Sequence, residues 1–144
     1  MNDPKTIEFL WKYVAHADGQ VLAAADTLDD RGYFLDQGIS FGSVHNMLVH
    51  CLSAQASWLQ RLNQVGNPPM LDPATVSRGE IAGRWGALHQ ELLAFAAAQT
   101  PASLNTVIHS GAVEETKELS TMRRRCGLIC LAAGPCSLPS GWSV

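Results

Sequence analysis

Histidine and cysteine are the residues of this chain best suited to chemistry, because imidazole and thiolate groups bind metal ions and exchange protons near neutral pH. The chain has five histidines and four cysteines: His16, His45, His50, His89, His109, Cys51, Cys126, Cys130 and Cys136. In helical proteins a metal or ligand site forms where such side chains face one another between helices. Their spacing along the predicted helices therefore decides which of them are candidates.

His45 and His50 lie on the same predicted helix, on opposite edges of its apolar face. At 100° per residue, His50 projects roughly 120° from the centre of that face and His45 roughly 100° the other way. Periodicity does not choose between them, and a histidine at such an edge is commonly a boundary residue. The other three histidines have no ligand partner at helical spacing, so we assign them no role.

Common catalytic motifs are absent from the sequence. It contains no glycine-rich phosphate loop, no His-Glu-x-x-His and no paired Cys-x-x-Cys. The run Arg123–Arg125 is typical of a solvated face, with anion contact as the alternative. Trp11, Trp58 and Trp85, one on each long predicted helix, are interpreted as core residues.

The elements that must position these residues are helices. Apolar residues at steps of three and four predict a first helix after the cap Asp3 and Pro4, on the stripe Ile7, Leu10, Val14, Ala17 and Val21. Residues 31–42 are predicted to be a loop. Ser43 is expected to cap a second helix that ends before Gly66, and Ser77 with Glu80 forms a capping box for a third that stops at Thr100-Pro101.

The C-terminal part of the chain is less regular. Residues 104–116 predict a small hairpin or an extended crossover, and Leu119, Met122, Cys126 and Ile129 return to helical spacing until Gly134-Pro135. Three long amphipathic helices and a short or incomplete fourth can bury their stripes only against one another, which predicts an all-α four-helix bundle. The expected domain spans residues 1–133, and residues 134–144 are expected to be an irregular tail.

The length and charge of the chain limit the number of domains and the classes of function it can have. A chain of 144 residues, with 47% hydrophobic and 16% charged residues, has room for one core. Its net charge of −3 disfavours nucleic-acid binding. Residues 1–115 hold six bases and twelve acids, whereas residues 116–144 hold four bases and one acid. The uneven cysteines and the polar N-terminus favour a cytoplasmic protein with neither a signal peptide nor a membrane span.

The segment 40–62, which starts Ser-Phe-Gly-Ser and carries His50 and Trp58, resembles the second helix of the DinB family of metal-dependent helical bundles. Weaker similarity covers residues 7–120. The resemblance implies a divalent metal, often zinc or nickel, bound by three histidines, of which His50 takes the position on helix two. It also implies a thiol-dependent transferase or isomerase acting on a small substrate, since a three-ligand site leaves a position for water or a thiol. The family's damage-inducible name describes regulation in relatives and is no argument for DNA repair here.

The sequence departs from the family pattern where the other two ligands belong. The resemblance implies a His-x-x-x-His pair near Leu131 and Pro135, but no histidine follows His109. Cys126 and Cys130 have the same i, i+4 spacing and, with His50, would suit zinc. The alternative is that Cys126 is a small core residue of the apolar stripe.

Two function classes follow. One is a DinB-like metal-dependent enzyme with His50 as a ligand. The other is a non-catalytic bundle, degenerate or truncated, in which an uncovered apolar face would favour a homodimer. We hypothesise that the last 25 or so residues, which contain no acid after Glu118, derive from a shifted reading frame. Alternative frames that encode no His-x-x-x-His would refute that hypothesis.

Overall fold

The fold is built on three long helices, as the sequence predicts. The computed structural model describes residues 3–38, 40–65, 69–110 and 113–116. The long helices are α1 (Pro4–Asp26), α3 (Val44–Leu62) and α4 (Arg78–Ala97). Helix α1 packs against α4, and α4 packs against α3, so α4 is the main neighbour of both. The all-α fold class is confirmed for these residues.

Local capping residues set the helix starts. Asp3 accepts a hydrogen bond from the Lys5 amide at 3.0 Å, and Ser43 accepts one from the Asn46 amide at 3.2 Å. At the start of α4 the hydroxyl of Ser77 donates to the Glu80 carboxylate at 2.6 Å, and its amide donates at 2.9 Å. These bonds lower the pKa of Glu80 to about 2. All three predicted helix starts are confirmed.

Short elements join the long helices. They are α2 (Asp30–Phe34), a single 3₁₀ turn (Pro73–Thr75) and α5 (Pro101–Leu104). The predicted loop 31–42 is therefore wrong over residues 31–34, because the Asp29 side chain accepts from the Gly32 amide at 2.7 Å and starts a helical turn there. Likewise Thr100 caps α5.

The hairpin alternative for residues 104–116 is confirmed over its second part. Strands β1 (Val107–Ser110) and β2 (Val113–Thr116) pair antiparallel, with Val107 opposite Thr116. Strand β1 lies against α3. The predicted fourth helix at 119–133 and the tail at 134–144 lie outside the described residues.

Arg78 joins the start of α4 to the end of α1 and to α2. Its guanidinium lies 4.2 Å from the centre of the Tyr33 ring. It donates to the Leu28 carbonyl at 2.8 Å and to the Asp30 carboxylate at 2.9 Å. The Leu28 carbonyl lies just beyond the end of α1, so Arg78 connects the start of α4 to the chain that leaves α1.

The core lies between α1, α3 and α4. Its most completely buried large side chains are Ile7, Tyr33, Val49, Leu62, Ile81, Trp85, Leu92 and Leu104. Val21 was predicted to join the apolar stripe of the first helix, but it is 52% exposed, so that prediction is wrong. It lies about 60° around the helix from the buried Asp18.

Candidate functional site

His50 lies in the middle of α3 with its ring held against a second aromatic ring. The imidazole is stacked on Phe41, with centroids 4.1 Å apart and an interplanar angle of 26°. Both side chains are half-buried. The stack fixes the plane of the imidazole while leaving one side of the residue open.

The turn before α3 determines the position of Phe41. Its carbonyl accepts a hydrogen bond from the Asn46 side chain at 2.9 Å and another from the Ser43 amide at 3.0 Å. The next residue, Gly42, has φ +77, a conformation that glycine adopts without strain. The two hydrogen bonds to the Phe41 carbonyl and the positive φ of Gly42 therefore place the Phe41 ring where the imidazole of His50 can stack on it.

The hydrogen bonds of the histidines distinguish His50 from the others whose side chains are described. His16 pairs with Gln20 at 3.1 Å, His45 with the Pro73 carbonyl at 3.0 Å, and His89 with Asp18 at 2.9 Å. Within the described part of the chain, neither ring nitrogen of His50 takes part in a hydrogen bond. No residue of the described ranges therefore occupies the nitrogens of His50.

His45 is a structural residue, which settles the choice that periodicity leaves open between the two histidines of α3. It is 5% exposed and contacts the rings of Tyr33 and Phe34, with centroids 5.6 and 4.9 Å away. A carbonyl oxygen only accepts, so the Nε2–H of His45 donates to Pro73. Among the described residues, the buried Nδ1 has no hydrogen-bond partner. His45 thereby links α2 and the 3₁₀ turn to α3.

A cluster of polar side chains, which the sequence analysis did not predict, connects all three long helices. The indole N–H of Trp85 donates to Gln55 Oε1 at 3.1 Å, and Gln55 Nε2 donates to Asp18 Oδ2 at 2.8 Å. His89 also bonds the same Asp18 oxygen. We call these four residues the polar core cluster.

The polar core cluster is largely buried, and each of its members is hydrogen-bonded to another member. Gln55 is 3% exposed and Asp18 8%. Since a carboxylate oxygen only accepts, Nε2 of His89 carries the proton in this pair. His89, to which sequence analysis assigned no role, is thus a partner of Asp18. Trp85 is a core residue as predicted, and it also acts as a hydrogen-bond donor.

The signal for this cluster was present in the sequence as polar residues at apolar positions. Asp18 follows Ile7 and Trp11 at steps that keep it on the buried side of α1, and Gln55 lies at the centre of the apolar arc of α3. Buried polar side chains need partners. The sequence does not show which helix supplies them.

Cys51, next to His50, points into the core. It is a free cysteine and is 4% exposed. Burial raises the pKa of its thiol to about 12, and the nearby charge of Asp18 adds to the effect. Thiolates are the form that binds metals and attacks electrophiles, so Cys51 is inert at neutral pH.

A complete metal site is not formed by the described residues. Among residues 3–38, 40–65, 69–110 and 113–116, no three His, Cys, Asp or Glu side chains come together in a way that could hold a metal ion. His50 is one candidate ligand there. The Cys126–Cys130 pair and Arg123–Arg125 lie outside the described residues, so the structure does not test them.

The fold defines the class of this protein as a helical bundle, and His50 lies on its second long helix. The profile of the DinB family matches residues 1–121, so the chain belongs to the DinB family. The predicted family assignment is thereby confirmed. Neither the curated proteins nor the solved structures contain a match to the chain. Within the described residues, no helix combines the length and hydropathy that crossing a membrane requires.

Proposed function

We propose that this DinB-family protein binds a divalent metal ion, zinc or nickel, with His50 as one ligand. The observation that carries the proposal is the environment of His50. Its ring is oriented by Phe41, it is half-buried, and its nitrogens form no hydrogen bond within the described residues. A metal-binding histidine needs a free nitrogen and a fixed ring plane, and His50 has both.

The remaining ligands must come from residues outside the described part of the chain. Cys126 and Cys130 are the candidates, because residues at i and i+4 on a helix face the same way. Two thiolates and one imidazole form a ligand set that suits zinc. Cys51 is not a candidate, because its thiol is buried and protonated.

The proposed chemistry is thiol-dependent transfer or isomerisation of a small substrate. A metal with three protein ligands keeps a coordination position for water or a thiol, and it lowers the pKa of the bound group. The protein's partner is then a small molecule rather than a nucleic acid or a membrane. A cytoplasmic location agrees with the free thiol of Cys51.

Metal analysis of the purified protein tests this proposal. We expect stoichiometric zinc or nickel in the wild type after equilibration with each ion, and loss of the metal in His50→Ala and Cys126→Ser. His16→Ala is the matched control, since His16 is an exposed helical histidine that already bonds to Gln20. A wild type that stays metal-free would overturn the proposal, as would a His50→Ala variant that keeps its metal. Metal retained by Cys126→Ser alone would exclude the thiolate ligands.

The second candidate function is that of a non-catalytic bundle. One observation favours it: no histidine follows His109, so the family's C-terminal ligand pair is missing from the sequence. A metal-free wild type that unfolds cooperatively would support this candidate, because the fold would then be independent of a metal.

A further inference from the structure

The chain that connects α3 to α4 contacts α3 at a buried hydroxyl group. Ser53 of α3 is 3% exposed. Its Oγ accepts a hydrogen bond from the Leu71 amide at 2.7 Å and donates one to the Sδ atom of Met70 at 3.5 Å. A hydroxyl group has a single proton to donate, so the proton of Ser53 is directed at the thioether sulfur of Met70.

Met70 is open to solvent, although its sulfur contacts a buried residue. The residue is 48% exposed. Met47, the other methionine of the described residues, is half-buried and packs against the core. Oxidation adds an oxygen atom to the methionine sulfur, and a dissolved oxidant reaches an exposed thioether more readily than a covered one. We therefore expect Met70 to be oxidised before Met47.

The contact with Ser53 makes the two sides of the Met70 sulfur different. A thioether sulfur has two lone pairs, and addition of oxygen to one or to the other gives the two epimers of methionine sulfoxide. The hydroxyl of Ser53 covers one lone pair. Because Ser53 is buried, an oxidant can approach only from the other side of the sulfur. The position of Ser53 on α3 therefore selects the epimer that forms.

We propose that Met70 is a site of reversible oxidation at which hydrogen peroxide forms one sulfoxide epimer, selected by the Ser53 hydroxyl. The uncovered lone pair of Met70 Sδ forms a bond to one oxygen of the peroxide, and the O–O bond breaks. The second oxygen leaves as water with both protons, so the sulfur loses two electrons and the peroxide gains them. The reverse step is reduction by the dithiol of an epimer-specific sulfoxide reductase, which gives the thioether, a disulfide and water. Neither step depends on a metal at His50.

Mild peroxide treatment of the full chain, followed by digestion and mass spectrometry, tests the site. We expect the peptide that contains Met70 to gain an oxygen atom at least about five times faster than the peptide that contains Met47. The two epimers are then counted with two purified reductases, each of which reduces one epimer. One reductase should convert at least about nine-tenths of the oxidised Met70 peptide, and the other should convert the small remainder.

Two comparisons test the role of Ser53. Ser53→Ala removes the hydroxyl and should give the two epimers of Met70 in about equal amounts. Ser57→Ala is the matched control, because Ser57 is a buried serine one turn further along α3, and this variant should keep the single epimer. Wild-type protein oxidised in urea should also give about equal amounts, which keeps the test decisive if Ser53→Ala does not fold.

Three results would overturn the proposal. The first is an equal mixture of Met70 epimers from the folded wild type. The second is a folded Ser53→Ala variant that still gives a single epimer, since the selection would then come from another part of the structure. The third is oxidation of Met47 ahead of Met70 in the folded protein.

Discussion

The buried thiol of Cys51 should make the folded state sensitive to alkaline pH. Burial, reinforced by the charge of Asp18, raises the pKa of this thiol from 9.0 to about 12. The folded chain therefore favours the protonated thiol, whereas the unfolded chain releases the proton near pH 9. The stabilisation that the protonated Cys51 thiol gives the folded state is fully present below pH 9 and is lost as the pH rises from 9 to 12.

The size of the effect follows from the shift of about three pKa units. One unit corresponds to about 1.4 kcal/mol, so the full loss above pH 12 is about 4 kcal/mol. At pH 10, one unit above the ordinary thiol value, the loss is about 1.4 kcal/mol. A domain of this size has a free energy of unfolding of about 5–15 kcal/mol, so a loss of that size is measurable.

Urea unfolding at a series of pH values measures this contribution. Lysines and tyrosines also titrate in alkaline solution, so the informative quantity is the difference between the wild type and Cys51→Ala. Between pH 8 and pH 10, we expect the free energy of unfolding of the wild type to fall by about 1.4 kcal/mol relative to that of Cys51→Ala. Cys51→Ser is the matched control, because its hydroxyl does not titrate in this range and its difference from Cys51→Ala should stay constant.

If the free energies of unfolding of the wild type and Cys51→Ala change with pH in the same way up to pH 10, the reasoning is refuted. That result would mean that the folded chain accommodates a thiolate at Cys51 as readily as the unfolded chain does. Rapid reaction of Cys51 with a thiol reagent in the native protein at pH 8 would contradict it independently, since a protonated and buried thiol reacts only after unfolding.

Three substitutions test other contacts by urea unfolding. Asp18→Ala should cost about 3–5 kcal/mol, because Gln55 and His89 lose a shared buried acceptor; a loss under about 1 kcal/mol would show that the polar core cluster contributes little. Arg78→Lys should cost about 1–2 kcal/mol despite keeping the charge, because an ammonium group cannot bond two acceptors and stack on a ring together; equal stability would refute the role of the planar guanidinium. Gly42→Ala should cost about 1–2 kcal/mol from its positive φ alone, since the added Cβ would lie 3.5 Å from the nearest Asp36 oxygen, an ordinary contact. An unchanged Gly42→Ala variant would show that the turn before α3 can rearrange.

The local elements of the fold could be predicted because their signals lie within a few residues of sequence. The capping interactions at Asp3, Ser43 and Ser77 each involve partners two or three residues away. The short helix α2 was missed although Asp29 is also a capping residue. Five residues are too few to show an apolar period, so the pattern resembled a loop.

The candidate site could be predicted only in part. The resemblance to the DinB family singled out His50, whereas helical periodicity treated it and His45 alike. The tertiary structure separates them, because the Pro73 carbonyl lies 28 residues from His45 along the chain and yet bonds to it. The family's remaining ligand positions fall outside the described residues, so the metal site stays a prediction.

The sequence alone determined the three long helices, their starts and membership of the DinB family, since these depend on short-range hydrogen bonds, apolar spacing and a recognisable segment around His50. Only the tertiary structure decided which buried polar groups meet. Asp18 and His89 are 71 residues apart, and their contact depends on how α1 and α4 are rotated against each other. Packing of whole helices sets that rotation. The exposure of Val21 beside the buried Asp18, three residues earlier, likewise does not follow from apolar spacing alone.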